Sequence, residues 1–210
     1  MTAPTRFSTA RPCLSAYPKR GCAPPRRFSP KLVLGVAALL TCILAGSAGR
    51  PISAQSLAPY IPSPEDVVDR MLAFAKVTGD DVVYDLGCGD GRIPIAAARK
   101  YGARGVGFDI DPALIELAKA NARAAGVEGR VDFRVQNVLT ADVSKATVVT
   151  LFLLSSSNER LRPILTQQLK PGARIVSHAF SMGRDWPADA IDQFVSARGD
   201  EVTLYLWRIK

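Results

Sequence analysis

The sequence predicts a doubly wound, mostly parallel α/β sheet of Rossmann-like type that closes in a C-terminal antiparallel hairpin. Three observations carry that prediction. Apolar, strand-like runs alternate with stretches of helical spacing from Val82 to Leu169. The first run, Val82-Val83-Tyr84-Asp85-Leu86, breaks into a glycine-rich turn, Gly87-Cys88-Gly89-Asp90-Gly91-Arg92, and reopens as Ile93-Pro94-Ile95-Ala96-Ala97-Ala98. The chain then ends on two extended runs, Gln193 to Ala197 and Val202 to Ile209, around the polar turn Arg198-Gly199-Asp200.

At 210 residues the chain has room for one ordinary domain and an extension. The net charge of +8 belongs to the extension. Of the 27 basic residues, eight lie in residues 1–60, which contain no acid, leaving 19 against 19 in the remainder. A neutral body gives no electrostatic footprint for nucleic acid, and no nucleic-acid partner is expected. The cysteines stand at 13, 22, 42 and 88, with neither a disulfide framework nor metal-ligand spacing, so no metal is expected. Cys88 reads as a small residue in a crowded turn.

Residues 1–31 are rich in Pro, Arg and Ser and read as a disordered basic leader. Residues 32–49 carry no charge and as a helix would be about 27 Å long, enough to cross a bilayer. They read as a membrane anchor or a signal-peptide core, with small residues at Gly46, Ala48 and Ala54 offering cleavage sites. The basic flank places the N-terminus on the cytoplasmic side and the body beyond the membrane, or in the cell envelope after export. An Arg-rich, acid-free leader also fits an organellar address, which would put the protein at the mitochondrial inner membrane. Residues 50–63 are a linker, and residues 64–210 the folded domain.

Within that domain, Ser63 is expected to cap a helix with Pro64 at its first position and Glu65 and Asp66 in its first turn. Val67, Val68, Met71, Leu72, Phe74 and Ala75 form its apolar stripe. Pro94 is tolerated in the first turn of the next helix, where its missing N–H has no partner to lose, and Gly102 ends that helix. Gly105 to Ile110 is the second strand. Asp111 caps a helix with Pro112 at its start and Gly126 as its stop. Val131, Phe133 and Val135 alternate as a third strand, and Thr147 to Leu154 is a central strand buried on both faces. Asn158 to Leu169 reads as a helix and Arg174 to Phe180 as a fifth strand.

The spacing of the glycine turn distinguishes between ligands. A dinucleotide fingerprint, G-x-G-x-x-G, would want its third glycine at Arg92, but the pattern here is Asp-x-Gly-x-Gly-x-Gly. Asp85 puts a carboxylate where a dinucleotide would carry pyrophosphate, which suits a cationic ligand instead. Asp109 ends the second strand about twenty residues later, where a carboxylate can accept both hydroxyls of a ribose. Each such charge-assisted bond contributes roughly 1.5–3 kcal/mol.

This turn resembles motif I of the class I S-adenosylmethionine-dependent methyltransferases, whose cofactor carries a sulfonium and an ammonium. Tyr60-Ile61-Pro62-Ser63-Pro64, the Asp85–Arg92 loop, Ser177-His178 and Tyr205-Leu206-Trp207 resemble one branch of it. That branch comprises the lysine methyltransferases of the adenine nucleotide translocase and the ATP synthase c-subunit, with their bacterial relatives. The resemblance runs from Pro59 to Lys210. Cys88 stands where the branch often has serine, Asn137 where an acid is usual, and Ser155-Ser156-Ser157 replaces a proline-containing turn.

The resemblance implies S-adenosyl-L-methionine as cofactor, held by Asp85, Gly87, Gly89, Asp90, Gly91, Asp109, Ile110, Asn137 and Val138. Asp85 would meet the ammonium, Asp109 the ribose and Asn137 the adenine amino group. Tyr60, on a lid, with Ser155 and His178 would line the acceptor side. Methyl transfer needs an uncharged nucleophile, so a lysine with a reference pKa near 10.4 must lose its proton at a cost of roughly 4 kcal/mol near neutrality. The implied acceptor is a lysine of a membrane-associated protein. A small-molecule acceptor, or a catalytically silent binding module of the same fold, are the alternatives.

Overall fold

The computed structural model describes residues 59–210; the basic leader, the uncharged stretch at 32–49 and most of the linker lie outside the described residues. Helix α1 (Glu65–Phe74) buries Val67, Val68, Met71 and Leu72 of the expected stripe, with Phe74 half-buried and Ala75 buried just past its end. Its start differs from expectation. Pro64, not Ser63, takes the capping position, and no side chain caps the helix. The Ser63 hydroxyl is bonded to the His178 imidazole instead, with Oγ and Nδ1 3.0 Å apart. A partner 115 positions away is invisible to local capping rules.

The strands and helices then alternate: β1 (Val82–Leu86), α2 (Arg92–Tyr101), β2 (Arg104–Asp109), α3 (Pro112–Ala124), β3 (Val131–Val135), β4 (Val148–Leu151), α4 (Ser155–Gln168) and β5 (Arg174–His178). The hairpin β6 (Ala190–Val195) and β7 (Glu201–Arg208) completes a seven-stranded sheet in the order β3-β2-β1-β4-β5-β7-β6. The first five strands pair in parallel, and β7 is antiparallel to both β5 and β6. Gly102 ends α2 in the left-handed conformation, and the Asp111 side chain accepts the Ala113 N–H at the start of α3, both as the sequence predicts.

Several boundaries move, and β5 ends at His178 rather than Phe180. β4 is four residues long rather than eight, so Phe152, Leu153 and Leu154 leave the sheet and α4 opens at Ser155. The hairpin begins at Ala190 rather than Gln193 because β6 pairs along β7 from Leu206 to Glu201.

Both faces of the sheet are covered. Leu86, Val149, Leu151, Leu161, Leu165, Ile175 and Trp207 form the core on one side. Val67, Met71, Leu72, Val83, Val148, Val176 and Leu204 form it on the other. At the amino ends of the strands, Asp81 accepts a hydrogen bond from Thr147 Oγ1 at 2.6 Å and pairs with the Arg174 guanidinium. That cluster ties β1, β4 and β5 together at the end opposite the site.

The sheet order places β1 at the centre of the five parallel strands, with β2 on one side and β4 on the other. Successive crossovers leave β1 in opposite directions, which opens a crevice at the carboxyl ends of these strands. Helix α2 lies against β2 closely enough that a Cβ on Gly105 would sit 2.7 Å from Pro94 Cβ and 3.1 Å from its Cα. A rigid ring cannot give way as a flexible side chain would. Gly105→Ala is therefore expected to destabilise the domain by about 1–3 kcal/mol, the usual cost of overpacking. Urea unfolding with an unchanged m-value checks this, and no loss of stability would contradict it.

Candidate functional site

A cleft of about 450 Å³ lies over the carboxyl ends of β1, β2 and β4. Its walls are the glycine turn, Asp109 to Pro112 with Leu114, Gln136 to Val138, Phe152 with Leu153, and the strap Pro59–Ser63. The volume falls within the range of cavities that hold drug-sized ligands and cofactors.

The turn is shaped by three glycines with positive φ, at 90°, 52° and 78° for Gly87, Gly89 and Gly91. The N–H groups of Gly87 and Cys88 both donate to the Phe108 carbonyl, at 2.8 and 2.9 Å, which ties the turn to β2. A Cβ on Gly89 would lie 2.4 Å from the Tyr60 ring, so only bare backbone lets the strap close over the turn. Gly91 faces away from the cleft, into Phe133 and Ala118. It serves packing and the entry to α2. Cys88 is buried and its thiol is pushed far up by burial, then by the Asp85 and Asp109 charges, so it is inert.

Three acids surround the turn and differ in environment. Asp85 is 3% exposed at the end of β1 and accepts one hydrogen bond, from Thr150 Oγ1 at 2.8 Å. Burial, with the charges of Asp109 and Asp90 adding to it, outweighs that bond and raises its carboxyl to about 7. Asp109 accepts the Gly89 N–H at 2.9 Å and the Asp111 N–H at 3.0 Å, bracing the turn while lining the cleft. A carboxylate has about four lone-pair sites, so two stay available to a ribose.

Burial also pushes Asp90 up, but the hydrogen bonds and charge of Arg92 prevail and hold it below the usual range. Arg92 reaches Asp90 with Nη2 at 2.6 Å and donates from Nη1 to the Ser63 carbonyl at 2.6 Å. The pair is a clip between turn and strap.

Next to them, Ile110, Leu114 and Val138 offer apolar surface for a flat base. Asn137 caps the short 3-10 turn Val138–Thr140, its Oδ1 accepting the Leu139 N–H at 3.0 Å. That oxygen keeps one lone pair, and Nδ2 adds donors at the cleft's edge.

The acceptor side is built differently. The Tyr60 hydroxyl stands near Asp90 and Arg92, and burial followed by the Asp90 charge raises its pKa. Ser155 begins α4 beside exposed Leu154, outside the cleft wall. His178 is 7% exposed and sits behind Ser63 and Phe152, both of which line the cleft. Burial lowers its pKa to about 4, so it is neutral under working conditions. Ser63 and Phe152 are wall residues that sequence alone does not identify. Ser63 has the local signature of a cap, and Phe152 is hidden inside an apolar run that reads as strand. Among the described residues, no group of His, Cys, Asp and Glu is arranged to hold a metal ion.

Bare backbone at Gly87 and Gly89 along the cleft, an acid at its floor, a second acid at the end of β2 and an apolar slot beyond match a ligand with a cation, a ribose and a base. Fold and cleft together define a class I S-adenosylmethionine-dependent methyltransferase. The ANTKMT methyltransferase domain family matches residues 85–190, half of the chain, and the protein belongs to that family.

The chain is 52% identical over 129 residues to a protein-lysine N-methyltransferase of Saccharolobus islandicus (strain REY15A), covering 61% of this chain and 80% of that one. It is 30% identical over 131 residues to the mouse lysine N-methyltransferase of the ATP synthase c-subunit, covering 62% of this chain and 52% of the relative. A crystal structure described as an RNA methyltransferase from Salinibacter ruber, in complex with S-adenosyl-L-homocysteine, superposes with a TM-score of 0.66 at 54% identity. That match covers 71% of this chain and 94% of the other.

The buried Asp85 carboxyl makes a stability prediction independent of any ligand. Its pKa is raised in the folded protein, so its contribution is fully present below the unfolded value near 3.9 and is lost as pH rises through about 7. Asp85→Asn keeps the Thr150 contact and removes the buried charge. At pH 8 the ligand-free variant should melt at least about 3 °C higher than the parent, the shift expected for about 1 kcal/mol in a chain of this size. Near pH 4 the two should coincide. Equal midpoints at pH 8 in differential scanning calorimetry would show that the charge is not a burden.

Proposed function

We propose that the enzyme methylates lysine side chains of proteins, with Asp85 taking the cofactor's ammonium, Asp109 its ribose and Asn137 its adenine amino group. The observation that carries the acceptor class is the mouth of the cleft. It is walled by Tyr60, Ile61 and Phe152, with Leu154 exposed beside it, and Tyr60 and Ile61 are 48% and 60% exposed. A side chain presented by a partner can enter such a mouth, and an apolar wall disfavours the charged form of the amine that must lose its proton. The two relatives acting on lysine support the same reading.

When bound, S-adenosylmethionine supplies a methyl group on a cationic sulfur. The protein's own part is to fix that group, exclude water and receive the amine; near neutrality His178 is already deprotonated and carries no charge to repel it.

RNA is the second reading, because the similar Salinibacter ruber protein is described as an RNA methyltransferase. Against it stands the balance of 19 basic and 19 acidic residues in residues 61–210, which leaves that region no net positive charge toward phosphates. The alternatives of a small-molecule acceptor and a silent binding module rest on no observation of this site. Residues 32–49 supply the proposed location, as an anchor that keeps the domain beside membrane proteins.

Calorimetric titration with S-adenosylhomocysteine tests the cofactor assignments. Asp109→Ala should weaken binding at least about tenfold, the loss of one charge-assisted hydrogen bond. For the parent, affinity should fall about tenfold per pH unit below about 7, because Asp85 must then give up a proton to meet the ammonium. Unchanged binding in Asp109→Ala, or a flat pH dependence, would reject the respective role.

Mass spectrometry of fractionated cell proteins and RNA, with and without the enzyme, tests the acceptor. New methyl-lysine in the membrane fraction is expected, and methylated RNA alone would favour the second reading. The same fractionation places the enzyme, which should resist carbonate extraction from membranes; full release would reject the anchor.

A further inference from the structure

We infer that His178 is a positioning residue that holds the two walls of the acceptor mouth at a fixed separation, bonding the strap at one edge of its ring and supporting Phe152 on its face. The inference rests on the proposed lysine reading for what enters the mouth, and on geometry alone for the positioning.

The strap is fastened at Ser63 from two directions. Its carbonyl accepts from Arg92 Nη1 at 2.6 Å, and its buried hydroxyl shares a hydrogen bond with His178 Nδ1 at 3.0 Å. On the other wall, the Phe152 ring stacks on the imidazole with centroids 3.9 Å apart and planes 29° from parallel. Ser63 and Phe152 both line the cleft, and His178 stands between and behind them. One imidazole thus touches both the strap and the Phe152 wall of the cleft.

The backbone around His178 is shaped for this placement. Ala179 has φ of 64°, a conformation disfavoured for a residue with a Cβ. The Phe180 N–H folds back to the His178 carbonyl at 2.8 Å, and fully buried Asn158 donates to the Phe180 carbonyl at 3.1 Å. Such strain persists only where surrounding contacts enforce it, and it concentrates at functional sites. The imidazole is neutral, so it holds the mouth open without adding a charge that would repel a cationic side chain.

The two contacts of the ring can be separated by substitution. His178→Asn keeps a polar atom at the δ position for Ser63 and removes the ring from Phe152. His178→Phe keeps the stacked face and removes the bond to Ser63. Cofactor affinity is read with S-adenosylhomocysteine, and acceptor KM with poly-L-lysine and labelled S-adenosylmethionine, on the full chain.

A crossed pattern is expected. His178→Phe and Ser63→Ala should each weaken S-adenosylhomocysteine binding about tenfold, the loss of one buried hydrogen bond, and the double variant should be no weaker than either. His178→Asn should bind it as the parent does but raise the acceptor KM several-fold.

Equal S-adenosylhomocysteine affinity in His178→Phe and His178→Asn, or additive losses in the double variant, would overturn the positioning role. Misfolding of a His178 variant would leave Ser63→Ala to decide, since unchanged affinity there removes the bond to the strap from the argument. If the parent transfers no methyl to poly-L-lysine, the lysine reading fails, while the affinity pattern still decides the positioning role.

Discussion

Asp85 is a carboxylate at the carboxyl end of β1, closed off from water on every side but the cleft. Its one hydrogen bond, from Thr150, does not offset the desolvation that its charge costs. Much of the site's architecture follows from that placement. The turn after it must bend away without side chains in the way, so three positive-φ glycines follow. Asp109 then braces the bend through the Gly89 N–H, and the Asp90–Arg92 clip secures the strap above it. A burden on folding becomes an advantage once a cation occupies the cleft, because the same low dielectric that penalises a lone charge strengthens a paired one.

The acids around the turn divide the labour by environment rather than by residue type. Asp85 is held near neutrality by burial, and Asp90 is held low by a guanidinium. Asp109 is kept in place by two backbone N–H groups. Methyl transfer asks for positioning and dryness more than for a strong base. A strap fastened to the turn, with Tyr60 and Phe152 lining the cleft, is suited to that need.

Much of the fold is legible in the sequence because its signals are local. The period of apolar residues places the strands and helices, Asp111-Pro112 marks the start of α3, and Gly102 the end of α2. Asp85 and Asp109 are legible from their spacing around the glycine turn, and both line the cleft. What is not legible depends on pairing at a distance. Ser63 looks like a helix cap because capping is a four-residue rule, whereas its partner is His178, 115 positions on. Phe152 reads as strand because an apolar run does not show where sheet pairing stops; β5 releases β4 after Leu151. Gly91 reads as one of the ligand-facing glycines, but its φ and its neighbours Phe133 and Ala118 give it to the packing of α2.

Cys88 has a consequence for where this domain can work. It is the sole thiol from residue 43 onward, it is buried, and its surroundings suppress the thiolate. Disulfide exchange and oxidation both begin from an exposed thiolate, so neither has a foothold within the domain. The fold therefore neither depends on an oxidising medium nor is endangered by one.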